Sequence, residues 1–279
     1  MSFLIRFARQ WIAGENLDDA IARARKANSN GLGTIINFLG EHVRDKEEAE
    51  ANKNENFRIL QAIKDNKINS SLSIKLTQLG LGIDKDLCLS NVEAIVNRAG
   101  SDNIFVWIDM ESSTYTQDTI DIYLTIFKKN KNAGIAIQSN LLRSESDIRR
   151  IASFGGIIRL VKGAYNEKSD IAYSSRSEVT MNFSKIMGFL FYRSSFFAIA
   201  THDERLIYEA IEANKAHQRK IEFQMLLGVR EELKNELVKK GFTVVDYIPY
   251  GRKWLPYSLR RIRERKRNIL LIFRSIFDI

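Results

Sequence analysis

Residues 133–165 read AGIAIQSNLLRSESDIRRIASFGGIIRLVKGAY. The two ends, AGIAIQSNL from Ala133 and GIIRLVKGAY from Gly156, are short, nearly continuous apolar runs, the pattern of strands buried on both faces. Between them SESDIRRIASFG opens on capping and acidic residues and closes on glycine, which punctuates a helix. Strand, helix and strand in this compass make one βα unit and the start of the next.

The same alternation runs outward in both directions. Strand-like runs stand at GTIINFLGE from Gly33, LSIKLTQLG from Leu72 and NIFVWIDMES from Asn103, and then at FFAIATHD from Phe196, KIEFQMLLG from Lys220 and TVVDYIPYG from Thr243. Helical patterning fills LDDAIARARKANSN, KEEAEANKNENFRILQAIKDNK, LCLSNVEAIVNRAGS, DERLIYEAIEANKAHQ and REELKNELVKKG. Strand starts are spaced about 30 residues apart, the length of one βα unit. Eight strands with intervening helices predict a closed (β/α)8 TIM barrel, and no G-x-G-x-x-G follows the first strand to favour an open dinucleotide-binding sheet. With 2 prolines and no Gly/Ser-rich linker, residues 1–279 read as a single domain.

Composition agrees with a globular enzyme: 44% hydrophobic and 28% charged residues over 279 positions. The single cysteine, Cys88, excludes an intramolecular disulfide and reads as a buried helix residue. No secretory signal and no apolar stretch of about 20 residues is present, so the chain is expected to be soluble and cytoplasmic. The net charge of +9 is partly local, with Arg260, Arg261, Arg263, Arg265, Lys266 and Arg267 crowded together.

In such a barrel, catalytic groups sit where strands end. Polar residues collect there: Glu41, Lys75, Asp109 and Glu111, Gln138, Arg159 and Lys162, Thr201 with His202 and Asp203, Gln224 and Tyr247. Of the three histidines, His42 and His217 read as surface residues, and no metal-binding spacing occurs. No G-x-S-x-G elbow supports a nucleophilic serine. What remains is rich in cations and amides: Arg159, Lys162, Arg260 and Arg261 suit a phosphate or carboxylate, which a guanidinium grips through two parallel hydrogen bonds.

Seven strings in register carry a resemblance: SIKLTQLG, IDMES, RLVKGAY (Arg159–Tyr165), ATHD (Ala200–Asp203), EFQMLLG (Glu222–Gly228), YIPYG (Tyr247–Gly251) and YSLRRIRER (Tyr257–Arg265). From about Asn16 to Arg265 the chain resembles the proline dehydrogenase family. The resemblance implies a distorted (β/α)8 barrel with a C-terminal substrate-contacting helix. It implies non-covalent FAD, oxidation of L-proline to Δ1-pyrroline-5-carboxylate by hydride transfer to flavin N5, and a membrane quinone as electron acceptor. It also places residues. Arg260 and Arg261, assisted by Lys75, would clamp the substrate carboxylate, with Tyr247 against the proline ring and Tyr257 also binding the substrate. Asp109 would orient these cations, and Arg159 would stand at the flavin's reactive edge. Met110, Gln138, Lys162, Gly163, Ala164, Tyr165, Thr201, His202 and Gln224 would complete the FAD site. Glu264, one helical turn beyond Arg260, would support that arginine, and Glu41 would add an ionic contact.

Nothing resembles an aldehyde dehydrogenase part, so a monofunctional enzyme is implied, and Asn166 stands where some relatives place tryptophan. The terminal RKRNILLIFRSIFDI suits a cap on the barrel, an oligomer contact, or a peripheral contact with the inner face of the membrane. Two other functions compete: a flavin barrel reductase of the methylenetetrahydrofolate reductase type, and a non-catalytic basic barrel that binds nucleic acid or membrane. The RRxxE pattern at Arg260–Glu264 with Lys75 favours an amino-acid carboxylate, and no RNA-binding motif supports the second.

Overall fold

The computed structural model describes residues 8–40 and 42–264, with side chains as far as Leu259. Its strands are β1 (Gly33–Phe38), β2 (Ser70–Ile74), β3 (Val106–Ile108), β4 (Ala133–Gln138), β5 (Ile157–Val161), β6 (Phe196–Ala200), β7 (Lys220–Leu226) and β8 (Thr243–Tyr250). All are parallel and hydrogen-bonded in sequence order, and β8 pairs back onto β1 from Gly33↔Val245 to Phe38↔Tyr250, which closes the barrel.

Helices follow the strands: α2 (Lys46–Asp65), α3 (Lys85–Ser101), α4 (Ser113–Lys129), α5 (Ser144–Ser153), α6 (Arg176–Arg193), α7 (Glu204–His217), α8 (Glu231–Lys239) and α9 (Trp254–Glu264), while α1 (Leu17–Ser29) precedes β1. A 3-10 turn at Leu76–Leu79 follows β2. Their starts are capped chemically. Asp45, Asp84 and Asp203 accept from the backbone N–H groups of Glu48, Asp86 with Leu87, and Arg205, and Ser175 with Glu178 forms a capping box on α6. Helices α4 and α6 stand outside the six helical stretches read from the sequence.

The main core lies between the strands' outer faces and the helices, built mostly from Ile, Leu, Val and Phe, with Cys88 wholly buried in it and its thiol pushed up to about 12 by that burial. A second cluster fills the inside of the barrel near its floor: Ile35, Trp107, Ala198 and Val245. Trp107 fits because β4 carries glycine opposite it; a Cβ on Gly134 would stand 2.5 Å from Trp107 Cζ3. This plug closes the barrel below and leaves the polar ends of the strands as its open mouth. A third cluster of Ala8, Trp11, Ile12, Leu39, Val229 and Tyr257 seats α9 against the N-terminal segment. Lys253 just before α9 pairs with Glu48 at 2.6 Å, and Trp254 Nε1 donates to Glu15 at 3.2 Å.

Candidate active site

Strand alternation decides which side chains enter the barrel. On β5, Arg159 points inward between Ala136 of β4 and Ala198 of β6 in register, two small neighbours that leave room for its guanidinium. Ser73 on β2 and Lys75 just beyond it share a face, as do Trp107 and Asp109. Gln224 on β7 and Tyr247 on β8 enter from the other side.

These side chains converge on the Asp109 carboxylate. Its Oδ1 accepts from Ser73 Oγ at 2.7 Å and from Arg159 Nη2, and its Oδ2 accepts from Lys75 Nζ at 2.8 Å and from Tyr247 OH at 2.6 Å. Arg159 Nη1 also donates to Gln224 Oε1 at 3.3 Å, and its guanidinium stands 5.0 Å from the Trp107 ring centroid. The electrostatics follow from this packing. Burial drives the Asp109 carboxyl up, but Lys75 and Arg159 outweigh it and hold the pKa well below the carboxylate range. For Lys75, burial lowers and Asp109 more than restores, so the ammonium titrates well above an ordinary lysine. Tyr247 is raised by burial and then by the Asp109 charge, so it keeps its proton.

The remaining positions divide into neighbouring groups. Lys162 Nζ bonds Asp203 Oδ2 at 2.9 Å and Thr180 Oγ1 at 3.0 Å, on the mouth rather than in the Asp109 cluster. Burial raises Asp203, but the hydrogen bonds from Lys162 and Arg205 bring it down to about 2. Gln138 Nε2 donates to the Glu111 carbonyl at 3.0 Å, while the Glu111 carboxylate is spent on Thr77, at 3.0 Å from its N–H and 2.5 Å from its hydroxyl. His202 Nε2 accepts the Leu226 N–H at 3.0 Å, so its proton sits on Nδ1. Thr201 and Met110 are buried, Gly163 and Ala164 are exposed at the rim, and Tyr165 is half-buried beside them. Tyr257 packs in the cluster that seats α9. Glu41 and the side chains of Arg260, Arg261 and Glu264 lie outside the described residues.

Three participants carried no signal of their own in the sequence. Ser73 and Glu222 precede Lys75 and Gln224 by two residues and share their faces, so strand period alone would have found them. Asn140, two residues past β4, lies against Gly163, where φ is +110° and an added Cβ would overlap the Asn140 side chain.

A closed parallel barrel with an ion-paired cluster at the C-terminal ends of its strands has the construction of a (β/α)8-barrel enzyme. Similarity to known proteins narrows that class. The proline dehydrogenase family profile matches residues 20–269. Proline dehydrogenase 2 of Bacillus subtilis strain 168 is 36% identical over 286 residues, spanning 98% of this chain and 94% of that protein. Proline dehydrogenase of Deinococcus radiodurans is 30% identical over 277 residues, spanning 96% and 89%. In fold, the chain superposes on proline utilization A (PutA) of Bdellovibrio bacteriovorus with a TM-score of 0.88 at 22% identity, covering 93% of this chain and 32% of that much longer one. The chain belongs to the proline dehydrogenase family, a family of oxidoreductases that are generally FAD-dependent.

Proposed function

We propose that this chain oxidises L-proline to Δ1-pyrroline-5-carboxylate with non-covalently bound FAD. The observation that carries the reading is the Asp109 carboxylate, which gathers Lys75, Arg159, Tyr247 and Ser73 into one buried cluster at the barrel mouth. Membership of the family supports the substrate and the cofactor.

The residues at the mouth fit a dinucleotide. Asn140 Oδ1 is buried there with no hydrogen-bond partner, an acceptor suited to a donor from a ligand, and Gly163 keeps backbone open beside it. Lys162, Gly163, Ala164, Tyr165, Thr201 and His202 would hold the cofactor along the rim, with Met110, Gln138, Arg159 and Gln224 beneath it. The bound flavin supplies the two-electron oxidation of the carbon–nitrogen bond.

The chain's own residues bind and orient the substrate. Lys75, kept cationic, would take one oxygen of the proline carboxylate, and Arg260 with Arg261, supported by Glu264, would take the carboxylate from the last helix. Tyr247 would lie against the ring, with Tyr257 fixing the base of that helix. Fixing the ring in this way is an orientation effect worth several kcal/mol, on the order of a hundredfold in rate or more. Asp109 holds the cations but is too weak a base to accept the amine proton near neutral pH, so that proton passes to solvent. Arg159, a permanent cation among the residues that would hold the cofactor, would favour negative charge there.

Electrons would then pass to a quinone, reached by peripheral contact with the membrane; no described helix is long and apolar enough to cross one. The reading is tested by incubating FAD-loaded protein with L-proline and an artificial acceptor and detecting the product by mass spectrometry. A product two hydrogens lighter than proline is expected, and unchanged proline would overturn the reading. A flavin reductase of another substrate class would leave proline untouched and reduce its flavin with its own donor.

A further inference from the structure

One half-buried carboxyl inside the barrel has no part in the scheme above. Glu222 precedes Gln224 by two residues on β7, on the same inward face, in register with Ala198 of β6 and Thr243 of β8. It stands in register beside Ala198 of the apolar plug, half-covered, where a carboxyl gives up part of its hydration. Burial accordingly pushes its pKa up.

The task of Glu222 is visible in its hydrogen bond. Gln224 Nε2 donates to Glu222 Oε1 at 2.6 Å, and the opposite end of the same amide, Oε1, accepts from Arg159 Nη1 at 3.3 Å. The two ends of a glutamine amide are alike in shape and opposite in hydrogen-bonding sense, so the partner at one end decides what the other end presents. Arg159 offers only donors, and a flipped amide would set NH2 against guanidinium. We infer that Glu222 is a positioning residue for the reaction: acting through Gln224, it holds the amide carbonyl on Arg159 and so fixes the guanidinium that faces the cofactor. This rests on the flavin-dependent reading above. Arg159 is already tied on its other edge to Asp109 and Ser73, so with Gln224 in place both edges of the guanidinium are held.

A double-mutant cycle on the FAD-loaded protein tests it: Glu222→Met, Glu222→Gln, Gln224→Met and Glu222→Met with Gln224→Met, each measured for kcat/KM with L-proline and for flavin midpoint potential. Glu222→Met is expected to lower kcat/KM about tenfold and make the potential more negative, because a loosened guanidinium stabilises reduced flavin less. Glu222→Gln, which still offers a carbonyl to Gln224 Nε2, is expected within about twofold of wild type. In the Gln224→Met background, Glu222→Met should add less than about twofold, since residues acting as a unit are not additive. Full additivity, or a Glu222→Met protein with wild-type potential and turnover, would overturn the role. Should Glu222→Met not accumulate as folded protein, Glu222→Ala takes its place in the same cycle. Wild-type protein whose bound flavin ignores proline would instead overturn the proposed function and this inference with it.

Discussion

Arg159 in the middle of β5 and Asp109 just past β3 form an ion pair across the inside of the barrel, with 4% and 9% of their side chains exposed. Lys75 and Tyr247 complete the shell of Asp109 from the strands on either side of β1. Two cations thus share one carboxylate in a place where neither is readily hydrated. The pair adds little net stability as such, because desolvation offsets attraction, yet removing one member leaves the others uncompensated.

Asp109→Asn is therefore expected to cost about 3–5 kcal/mol of folding stability, measured by denaturant unfolding. It should also lower kcat/KM on the order of 100-fold through loss of orientation. The folded pKa of Asp109 lies below its unfolded value, so its contribution is present above that unfolded value and lost as pH falls toward the folded one. The stability gap between wild type and variant should stay level from about pH 5 to 8 and narrow below about pH 4.

Behind the sheet, Lys234 of α8 is wholly buried between Asp246 of β8 and Glu231, and it donates to the Leu226 carbonyl at 3.0 Å. Burial raises Asp246 to about 6, against the pull of Lys234. Lys234→Met is expected to cost about 3–5 kcal/mol at pH 8. Its folded-state acid then titrates higher still, and a raised acid costs stability as pH rises through it. The deficit should accordingly be smaller at pH 5 than at pH 8, and an equal deficit at both would contradict the assignment.

Gly163 has φ +110° and backs directly onto the Asn140 side chain. Gly163→Ala is expected to strain the backbone by about 1–3 kcal/mol and to displace the buried Asn140 acceptor. Flavin content after purification with excess FAD should fall. Adding Asn140→Ala relieves the overlap but removes that acceptor altogether and leaves the positive φ, so flavin content should not recover.

At the barrel floor, Gly134→Val is expected to destabilise by about 1–3 kcal/mol by overpacking Trp107. The melting temperature should drop while KM for proline stays near wild type in the protein that remains folded. A large KM change would mean that the floor is mechanically continuous with the mouth.

The strands were legible in the sequence because barrel strands buried on both faces are short apolar runs with turns at their ends. Asp109, Lys75, Arg159 and Tyr247 were legible as polar residues at strand ends, where the structure brings them together. Helix α4, STYTQDTIDIYLTIFKK, was hidden by β-branched Thr and Ile, which weaken the helical signal, and α6 by apolar residues spread over several faces. Lys162 was legible as a cation, but its partner Asp203 lies 41 residues on, a pairing that only the β5–β6 neighbourhood creates. Glu222 and Ser73 belong to no chemical motif, and only the two-residue strand period links them to Gln224 and Lys75.

The visible spectrum of FAD-loaded protein, recorded before and after anaerobic addition of L-proline, shows whether proline reduces the flavin. Loss of the oxidised flavin band on adding proline, with recovery on adding a quinone, is the expected result. A flavin band that stays intact at saturating proline would contradict it.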